Sequence, residues 1–439
     1  MRVLQKKTAG GLALILLLAA CGGANQEVIL PGERLDLRGG DVAATTVASK
    51  SQAIRLPKQI INDAWTHRAG NQSHSIQHPA FGETATLAWS ADIGEGNSRK
   101  QRITADPVAE DGRIFTLDAQ ARVTATSTSG QTLWTADLTP PGESAGDASG
   151  GGLAVLHGKL YITTGFGALT ALDAASGELI WRQQLESAAS GAPTVYEGTV
   201  YVVSNDSRAW AIDTEDGRVR WQRPGVASAA GVVGGAGPAV NRRIVVFPTS
   251  SGEIVTSFRK GGVQLWAGTV SGQRKGRAYA NVSDITADPV IIGDTIYAGN
   301  QSGRVVAMDT TTGERKWTAR EGAYSPLWIT GGSVFLVSDQ GELVRLSART
   351  GERIWGTQLP YFETAKIKKR KAIYANFGPV LAGGQLWVAS SDGMLRAFSP
   401  EDGALSQQSD LPGGASTNPI VVDQVLYVVS ADGKLLAYR

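Results

Sequence analysis

Apolar residues in this chain come in short runs that are separated by polar turns. Between residues 288 and 317 the runs are Val290–Ile292, Ile296–Ala298 and Val305–Met308, followed by a short segment that ends at Trp317. Turn-forming residues, chiefly Gly and Asp, interrupt the sequence after each run. Short apolar runs bounded by such turns are typical of consecutive antiparallel strands. The pattern predicts a small four-stranded meander.

The same unit recurs along the chain, and six copies carry a Trp four residues after a turn Gly. The pairs are Gly130/Trp134, Gly177/Trp181, Gly217/Trp221, Gly262/Trp266, Gly313/Trp317 and Gly351/Trp355. Successive Trp residues are 47, 40, 45, 51 and 38 residues apart, close to the ~40–45 residues of a four-stranded propeller blade. One such sheet cannot bury both faces alone, so the copies are predicted to stack around a ring. The regular recurrence of the Trp favours packing between blades over a cofactor-binding role.

Two further units and one isolated strand complete the count. Phe377–Leu405 keeps the pattern but is followed by Gln407 in the position of the Trp, and Thr417–Arg439 stops after a third strand. Upstream of the repeats, Ala85–Ile93 has the pattern of a single strand and carries Trp89. If this strand completes the last blade, the ring has no open edge. The expected fold class is all-β, an eight-bladed β-propeller of four-stranded antiparallel blades that is closed by an N-terminal strand.

The N-terminal region has the pattern of an exported lipoprotein. Residues 1–20 place three basic residues ahead of an apolar segment that is too short to span a bilayer, as in a signal peptide. Leu18–Cys21 (LAAC) resembles a bacterial lipobox and contains the only Cys of the chain. We expect Cys21 to be lipidated and to anchor the chain in a membrane. Gly22 follows the Cys in place of an Asp, which resembles bacterial lipoproteins exported to the outer membrane, so the periplasmic face of that membrane is the expected location. Residues 21–58 are polar and aperiodic, which predicts a flexible tether, and residues 59–439 then form the propeller.

Charge and motif content exclude several functions. Lys and Arg number 42 against 40 Asp and Glu, so general nucleic-acid binding is not expected. No catalytic set or metal cluster can be assembled. His74 and His78 could pair on a metal if helical, but Pro79 and a missing third ligand favour a lead-in packed across the ring. Gly231–Gly237 lacks the context of a phosphate-binding loop, which favours a flexible connection between blades. Lys366–Lys371 is either a solvated loop or a contact for an acidic partner or anionic headgroups.

The repeat resembles that of pyrroloquinoline-quinone (PQQ) propellers, on residues Pro193, Gly198, Tyr201, Asp213, Gly217 and Trp221 of one copy. With the lipobox, the tether and the eight-bladed closure, residues 60–439 are similar to the BamB family of outer membrane protein assembly lipoproteins. The resemblance implies a non-enzymatic scaffold without a cofactor. It also implies binding to a periplasmic POTRA domain of the outer-membrane β-barrel insertase, a BamA-like protein, and contact with other subunits of the assembly complex.

The resemblance also implies a partner-binding surface. In that family two loops in the middle of the ring face the partner, and one has an S-D-x-D-like sequence just before a blade's Pro. Here Ser283 and Asp284 match the start of that sequence, whereas Thr286 stands where the second acid is expected. The companion loop falls near residues 226–231, which assigns Val226 and Ala229 to the same surface. The position of Asp284 ahead of a blade predicts an exposed carboxylate.

Two other functions stay open at this point. A PQQ-dependent dehydrogenase-like quinoprotein would share the repeat, but such enzymes are longer, need acid and amide ligands for Ca²⁺, and often carry an adjacent Cys pair. This chain has one Cys. A propeller that binds a ligand or signals in the cell envelope is the third possibility, and co-purification of partners would separate it from a scaffold.

Overall fold

The computed structural model describes residues 50–439 except residues 77, 190, 229, 230, 273, 275, 277, 367 and 369. All of these residues belong to one compact unit, Val47–Arg439. Their strands form eight separate four-stranded antiparallel sheets, which confirms the predicted blade count and blade type. Within each of the first seven blades the strands pair in chain order, from the innermost strand to the outermost.

The strand bounds of the first four blades are as follows. Blade 1 contains β2 (Val108–Glu110), β3 (Arg113–Leu117), β4 (Arg122–Ser127) and β5 (Thr132–Asp137), and blade 2 contains β6 (Gly151–Leu156), β7 (Lys159–Thr164), β8 (Ala168–Asp173) and β9 (Leu179–Gln184). Blade 3 contains β10 (Thr194–Tyr196), β11 (Thr199–Val203), β12 (Ala209–Asp213) and β13 (Val219–Arg223), and blade 4 contains β14 (Ala239–Val240), β15 (Ile244–Pro248), β16 (Glu253–Phe258) and β17 (Gln264–Thr269).

The remaining blades continue in the same order. Blade 5 contains β18 (Ala287–Ile292), β19 (Thr295–Asn300), β20 (Arg304–Asp309) and β21 (Arg315–Ala319), and blade 6 contains β22 (Trp328–Thr330), β23 (Ser333–Val337), β24 (Glu342–Ser347) and β25 (Arg353–Gln358). Blade 7 contains β26 (Asn376–Ala382), β27 (Gln385–Ser390), β28 (Met394–Phe398) and β29 (Leu405–Asp410), and blade 8 contains β30 (Ile420–Val422), β31 (Val425–Val429), β32 (Lys434–Tyr438) and β1 (Leu87–Asp92). Among the described residues, 3₁₀ helices lie in the connections at Ala145–Asp147 and Ala278–Asn281.

The recurring Trp residues lie on the fourth strands and pack against the next blade. In blade 2, Trp181 donates its indole N–H to the Thr214 carbonyl oxygen of blade 3 at 3.0 Å. A Cβ at Gly217 would lie 2.7 Å from the Trp181 ring, so only a glycine fits at this contact. The same Trp-to-carbonyl bond occurs at seven blade junctions, Trp89–Thr128, Trp134–Ala174, Trp181–Thr214, Trp221–Arg259, Trp266–Thr310, Trp317–Ala348 and Trp355–Pro400. The predicted packing role of the Trp is confirmed.

The ring closes as predicted, because β1 is the fourth strand of blade 8. It pairs antiparallel with β32, with Trp89 opposite Ala437. Gln407 occupies the Trp position of blade 7, and its side-chain amide donates to the Glu83 carbonyl. The third and fourth strands of blade 8 come from opposite ends of the chain, so no turn Gly joins them to receive a Trp. The residues that lead into β1 occupy the position of that turn. The Gln407 amide binds them where the other blades use a Trp.

Residues 60–76 and 78–81, here called the axial segment, run across the ring. Its backbone bonds to first-strand or adjacent turn residues of six blades, at the pairs Asn62–Asp423, Trp65–Ala109, Thr66–Val155, Gln72–Val240, Ser73–Ile291 and Pro79–Gly383. Side chains reach the other two: Val195 of blade 3 donates its backbone N–H to His67 Nε2 at 3.0 Å, and Trp65 stacks on Trp328 of blade 6 with ring centroids 6.3 Å apart. The segment therefore contacts all eight blades.

Residues 50–57, which the sequence assigns to the tether, contact the ring at blades 6 and 7. Lys50 donates its backbone N–H to the Ile354 carbonyl oxygen of blade 6, and Gln52 donates to that of Glu401 in blade 7. The buried Arg345 donates to the Gln52 carbonyl oxygen at 2.6 Å. The chain therefore enters the ring through the seam between these two blades.

Candidate functional site

The two loops that the sequence assigns to partner binding lie side by side in the structure. One joins β13 to β14 and the other joins β17 to β18. Ser250, in the turn between β15 and β16, links them: it accepts from the Ser228 N–H on its hydroxyl at 3.1 Å, and it accepts from the Ser283 hydroxyl on its carbonyl at 2.9 Å. Val226 is 69% exposed at the start of this surface. Ala229 and Cys21 lie outside the described residues.

Asp284 is half-buried, so the prediction of an exposed carboxylate is wrong. Its Oδ2 accepts a hydrogen bond from the Val232 N–H at 2.8 Å, which ties one loop to the other. Burial raises the pKa of the Asp284 carboxyl to about 6, against the opposing effect of the backbone donors. Asp284 therefore changes charge close to neutral pH.

Thr286 lies in the seam between blades 5 and 6. The residue is 4% exposed, and its hydroxyl donates to the Ala323 carbonyl oxygen at 2.6 Å. A second acid at this position would place a carboxylate next to a carbonyl in a buried seam, which is costly without a donor. The threonine therefore holds two blades together and presents no side chain to a partner.

Sequence reasoning missed the residue that fastens the second loop. Asp339, in the turn between β23 and β24 of blade 6, is 1% exposed. Its carboxylate accepts from Arg274 Nη2 at 2.8 Å, from the Tyr279 hydroxyl at 2.9 Å and from the Gly322 N–H at 2.9 Å. The loop from β17 to β18 is thus bound to a blade that it does not connect. In sequence, Asp339 looks like an ordinary turn residue, and no local signal marks its role.

An ion-pair network joins the axial segment to Asp106, two residues before the first strand of blade 1, and to Asp288 in the first strand of blade 5. Arg68 Nε lies 3.2 Å from Asp106 Oδ2, and Arg68 Nη1 lies 3.3 Å from Asp288 Oδ2. Arg68 Nη1 also donates to the Gly235 carbonyl oxygen at 3.0 Å. Burial raises the pKa of Asp106, while Arg68 and the donors of Asn418 oppose the shift. The charges are paired within the network, as buried charges require.

The histidines of the axial segment hold backbone groups. Burial, together with His74, lowers the pKa of His67 to about 3, which keeps its ring neutral and able to accept from Val195. His74 Nδ1 lies 2.8 Å from the Pro289 carbonyl oxygen, and His78 Nε2 accepts from the Gly384 N–H at 2.9 Å. Within the part of the chain that the structure describes, no three His, Cys, Asp or Glu side chains are grouped to hold a metal.

Comparison with known proteins identifies the family. The family model described as "Outer membrane protein assembly factor BamB" matches residues 119–357 and 364–439. The chain belongs to the BamB family. It is 26% identical over 379 residues to the outer membrane protein assembly factor BamB of Shewanella oneidensis, an alignment that covers 82% of this chain and 90% of the relative.

Solved structures share the fold of this BamB-family ring. The crystal structure of BamB from Moraxella catarrhalis superposes with a TM-score of 0.67 at 21% identity and covers 81% of this chain and all of the other. The quinohemoprotein alcohol dehydrogenase of Comamonas testosteroni also gives a TM-score of 0.67, at 15% identity, and covers 86% and 80% of the two chains. At these identities the likeness shows the fold alone.

No helix among the described residues is long and apolar enough to cross a membrane.

Proposed function

We propose that this chain is a non-enzymatic scaffold of the outer-membrane β-barrel assembly machinery. It binds the periplasmic POTRA region of a BamA-like insertase, alongside other subunits of the complex, and assists assembly of β-barrel proteins into the outer membrane. Lipid on Cys21 holds it at the periplasmic face of that membrane. The observation that carries the assembly role is the BamB family match over most of the propeller. The quinoprotein alternative raised by the sequence rests on the fold and on a sequence match to a quinohemoprotein alcohol dehydrogenase that covers 24% of this chain.

The surface proposed for the insertase comprises Val226, Ser228, Ser283 and Asp284. Ser250 bonds to Ser228 and Ser283, and Val232 bonds to Asp284, so these parts of the two loops are held together before a partner binds. Asp284 supplies its negative charge, and Val226 supplies exposed apolar area. A basic group on the POTRA domain fits this arrangement.

The test is capture of the purified POTRA region by full-length variants. Asp284→Asn removes the charge but keeps an oxygen that accepts from Val232, so the loops stay joined. Loss of a paired interfacial charge costs ~2–5 kcal/mol, and affinity should fall about thirtyfold or more at 1.4 kcal/mol per tenfold. The matched control is Asp294→Asn in blade 5, whose side chain is 79% exposed in the turn between β18 and β19. It should leave capture unchanged.

Binding should also weaken in mild acid. Because the pKa of Asp284 is about 6, lowering the pH through that value protonates the carboxyl and removes its charge. Capture by the parent chain should therefore fall as the pH drops through about 6, whereas capture by Asp284→Asn should lack this step. Failure of the parent to capture the POTRA region refutes the scaffold role. Capture that is unaffected by Asp284→Asn at every pH removes Asp284 from the surface.

A further inference from the structure

In the connection between blades 6 and 7, the described residues 361–366, 368 and 370–374 belong to a hairpin, here called the basic hairpin. Tyr374 donates its N–H to the Tyr361 carbonyl oxygen at 2.8 Å, and Glu363 donates to that of Ala372 at 3.2 Å. Phe362 and Ile373 face each other in an antiparallel bridge. The paired stems give the hairpin a defined base.

The hairpin combines unpaired positive charge with exposed apolar side chains. Lys366, Lys368 and Lys371 are exposed, and none of them forms an ion pair with any described residue. At the base, Phe362 is 37% exposed and Ile373 is 49% exposed. Basic side chains next to aromatic and aliphatic ones are the combination that binds the headgroup region of an anionic bilayer.

The hairpin lies in the same sector of the ring as the point where the chain enters it. Lys50 and Gln52 bond to Ile354 of blade 6 and Glu401 of blade 7, the two blades that the hairpin joins. The proposed lipid on Cys21 lies only 29 residues before Lys50 in sequence, so a bilayer is within reach of this sector. A protein partner with acidic groups would not require the hairpin to lie in the sector where the chain enters the ring.

We propose that the basic hairpin binds anionic lipid headgroups and turns the blade 6–7 sector of the ring toward the membrane. The nearness of a membrane rests on the proposed lipid anchor, whereas the basic and apolar surface of the hairpin does not depend on it. The insertase surface at the connections next to blade 4 lies two to three blades away around the ring. Headgroup binding at blades 6 and 7 would therefore leave the insertase surface open.

The test uses the full chain carrying Cys21→Ala, so that no acyl chain contributes. Co-sedimentation is measured with phosphatidylcholine vesicles and with vesicles that also contain phosphatidylglycerol. Binding to the neutral vesicles gives the charge-independent part. Residues 1–20, with Arg2, Lys6 and Lys7, are the same in every variant, so their contribution cancels when the variants are compared. The hairpin variant is Lys366→Gln/Lys368→Gln/Lys371→Gln. The control is Arg99→Gln/Lys100→Gln/Arg102→Gln, which removes the same charge from exposed positions between blades 8 and 1.

The parent should bind the anionic vesicles better than the neutral ones. Each lost charge should weaken binding to the anionic vesicles about fivefold, so the hairpin variant should bind them about a hundredfold more weakly than the parent. The control should lose less than about threefold, because charges away from the contact are screened over ~8 Å in physiological salt. Equal losses in the two variants, or no preference of the parent for anionic vesicles, overturn the proposal.

Two further readouts separate the alternatives. Hairpin-dependent binding to polyglutamate without binding to anionic vesicles identifies an acidic protein as the partner and rejects the lipid proposal. POTRA capture is scored on the same preparations. The hairpin variant should capture as the parent does, so failure of vesicle binding with intact capture rejects the hairpin proposal alone.

Discussion

Removal of Arg68 should destabilise the ring strongly at neutral pH and much less in acid. Arg68→Met keeps the length of the side chain but leaves Asp106 and Asp288 without their cation. These residues are 4% and 0% exposed, so water cannot replace the guanidinium. Breaking a buried ion pair by removing one partner costs ~3–5 kcal/mol. A loss of that size is a large share of the usual free energy of unfolding of a protein, ~5–15 kcal/mol.

The pH dependence gives the cause. Burial already raises the pKa of Asp106 in the folded chain, and Arg68 opposes that shift. Without Arg68 the pKa of Asp106 rises further, so the folded state holds its proton more tightly than the unfolded state does. The stability of the variant should then increase as the pH falls through the folded pKa. The difference from the parent should be greatest at pH 7 and should shrink toward about pH 4, near the ordinary pKa of an aspartate.

Urea unfolding followed by Trp fluorescence at both pH values measures this difference. The triple variant Arg68→Met/Asp106→Asn/Asp288→Asn serves as the control, because it removes all three charges together and should recover most of the lost stability. An Arg68→Met variant that is destabilised equally at both pH values would refute the charge argument. In that case the arginine would act through packing of its side chain alone.

Three further outcomes follow from the fold. Trp355→Ala should cost about 3–5 kcal/mol of unfolding free energy because the side chain is fully buried. Gln407→Ala at the equivalent position of blade 7 should cost far less, and urea unfolding of the two variants measures the difference. Deletion of Ala85–Ile93 should lower the melting temperature and cause aggregation by exposing the β32 edge, whereas deletion of residues 22–49 should do neither, and equal melting temperatures would contradict the closure. Cys21→Ala should leave the chain unlipidated and absent from the outer-membrane fraction, and recovery of an acylated variant would end the lipoprotein hypothesis.

The repeating part of this fold could be predicted because its signals are local. A turn Gly and a Trp four residues later belong to the same unit, and each unit makes the same junction with the next. The position of Gln407 also carried information. The repeat lacks its Trp at the one junction where the receiving blade has no turn between its third and fourth strands, which is consistent with closure by β1.

The candidate site depended on contacts between distant parts of the chain. Asp284 is half-buried because Val232, 52 residues earlier, donates to it, and no property of the sequence around Asp284 reports that bond. Thr286 is satisfied by a carbonyl of the next blade, so its identity reflects packing. The pairing of Arg68 with Asp288 likewise requires knowledge that the axial segment crosses the ring.

Closure by the two ends of the chain has a consequence for biosynthesis. Strand β1 is made early, whereas its partner β32 spans residues 434–438 and is made more than 300 residues later. A chain synthesised from its N-terminus therefore carries β1 unpaired until residues 434–438 are made. A product truncated before β32 keeps a free strand edge, which is open to proteolysis and to aggregation. Only a chain that includes β32 can pair β1 and so has no free strand edge in blade 8.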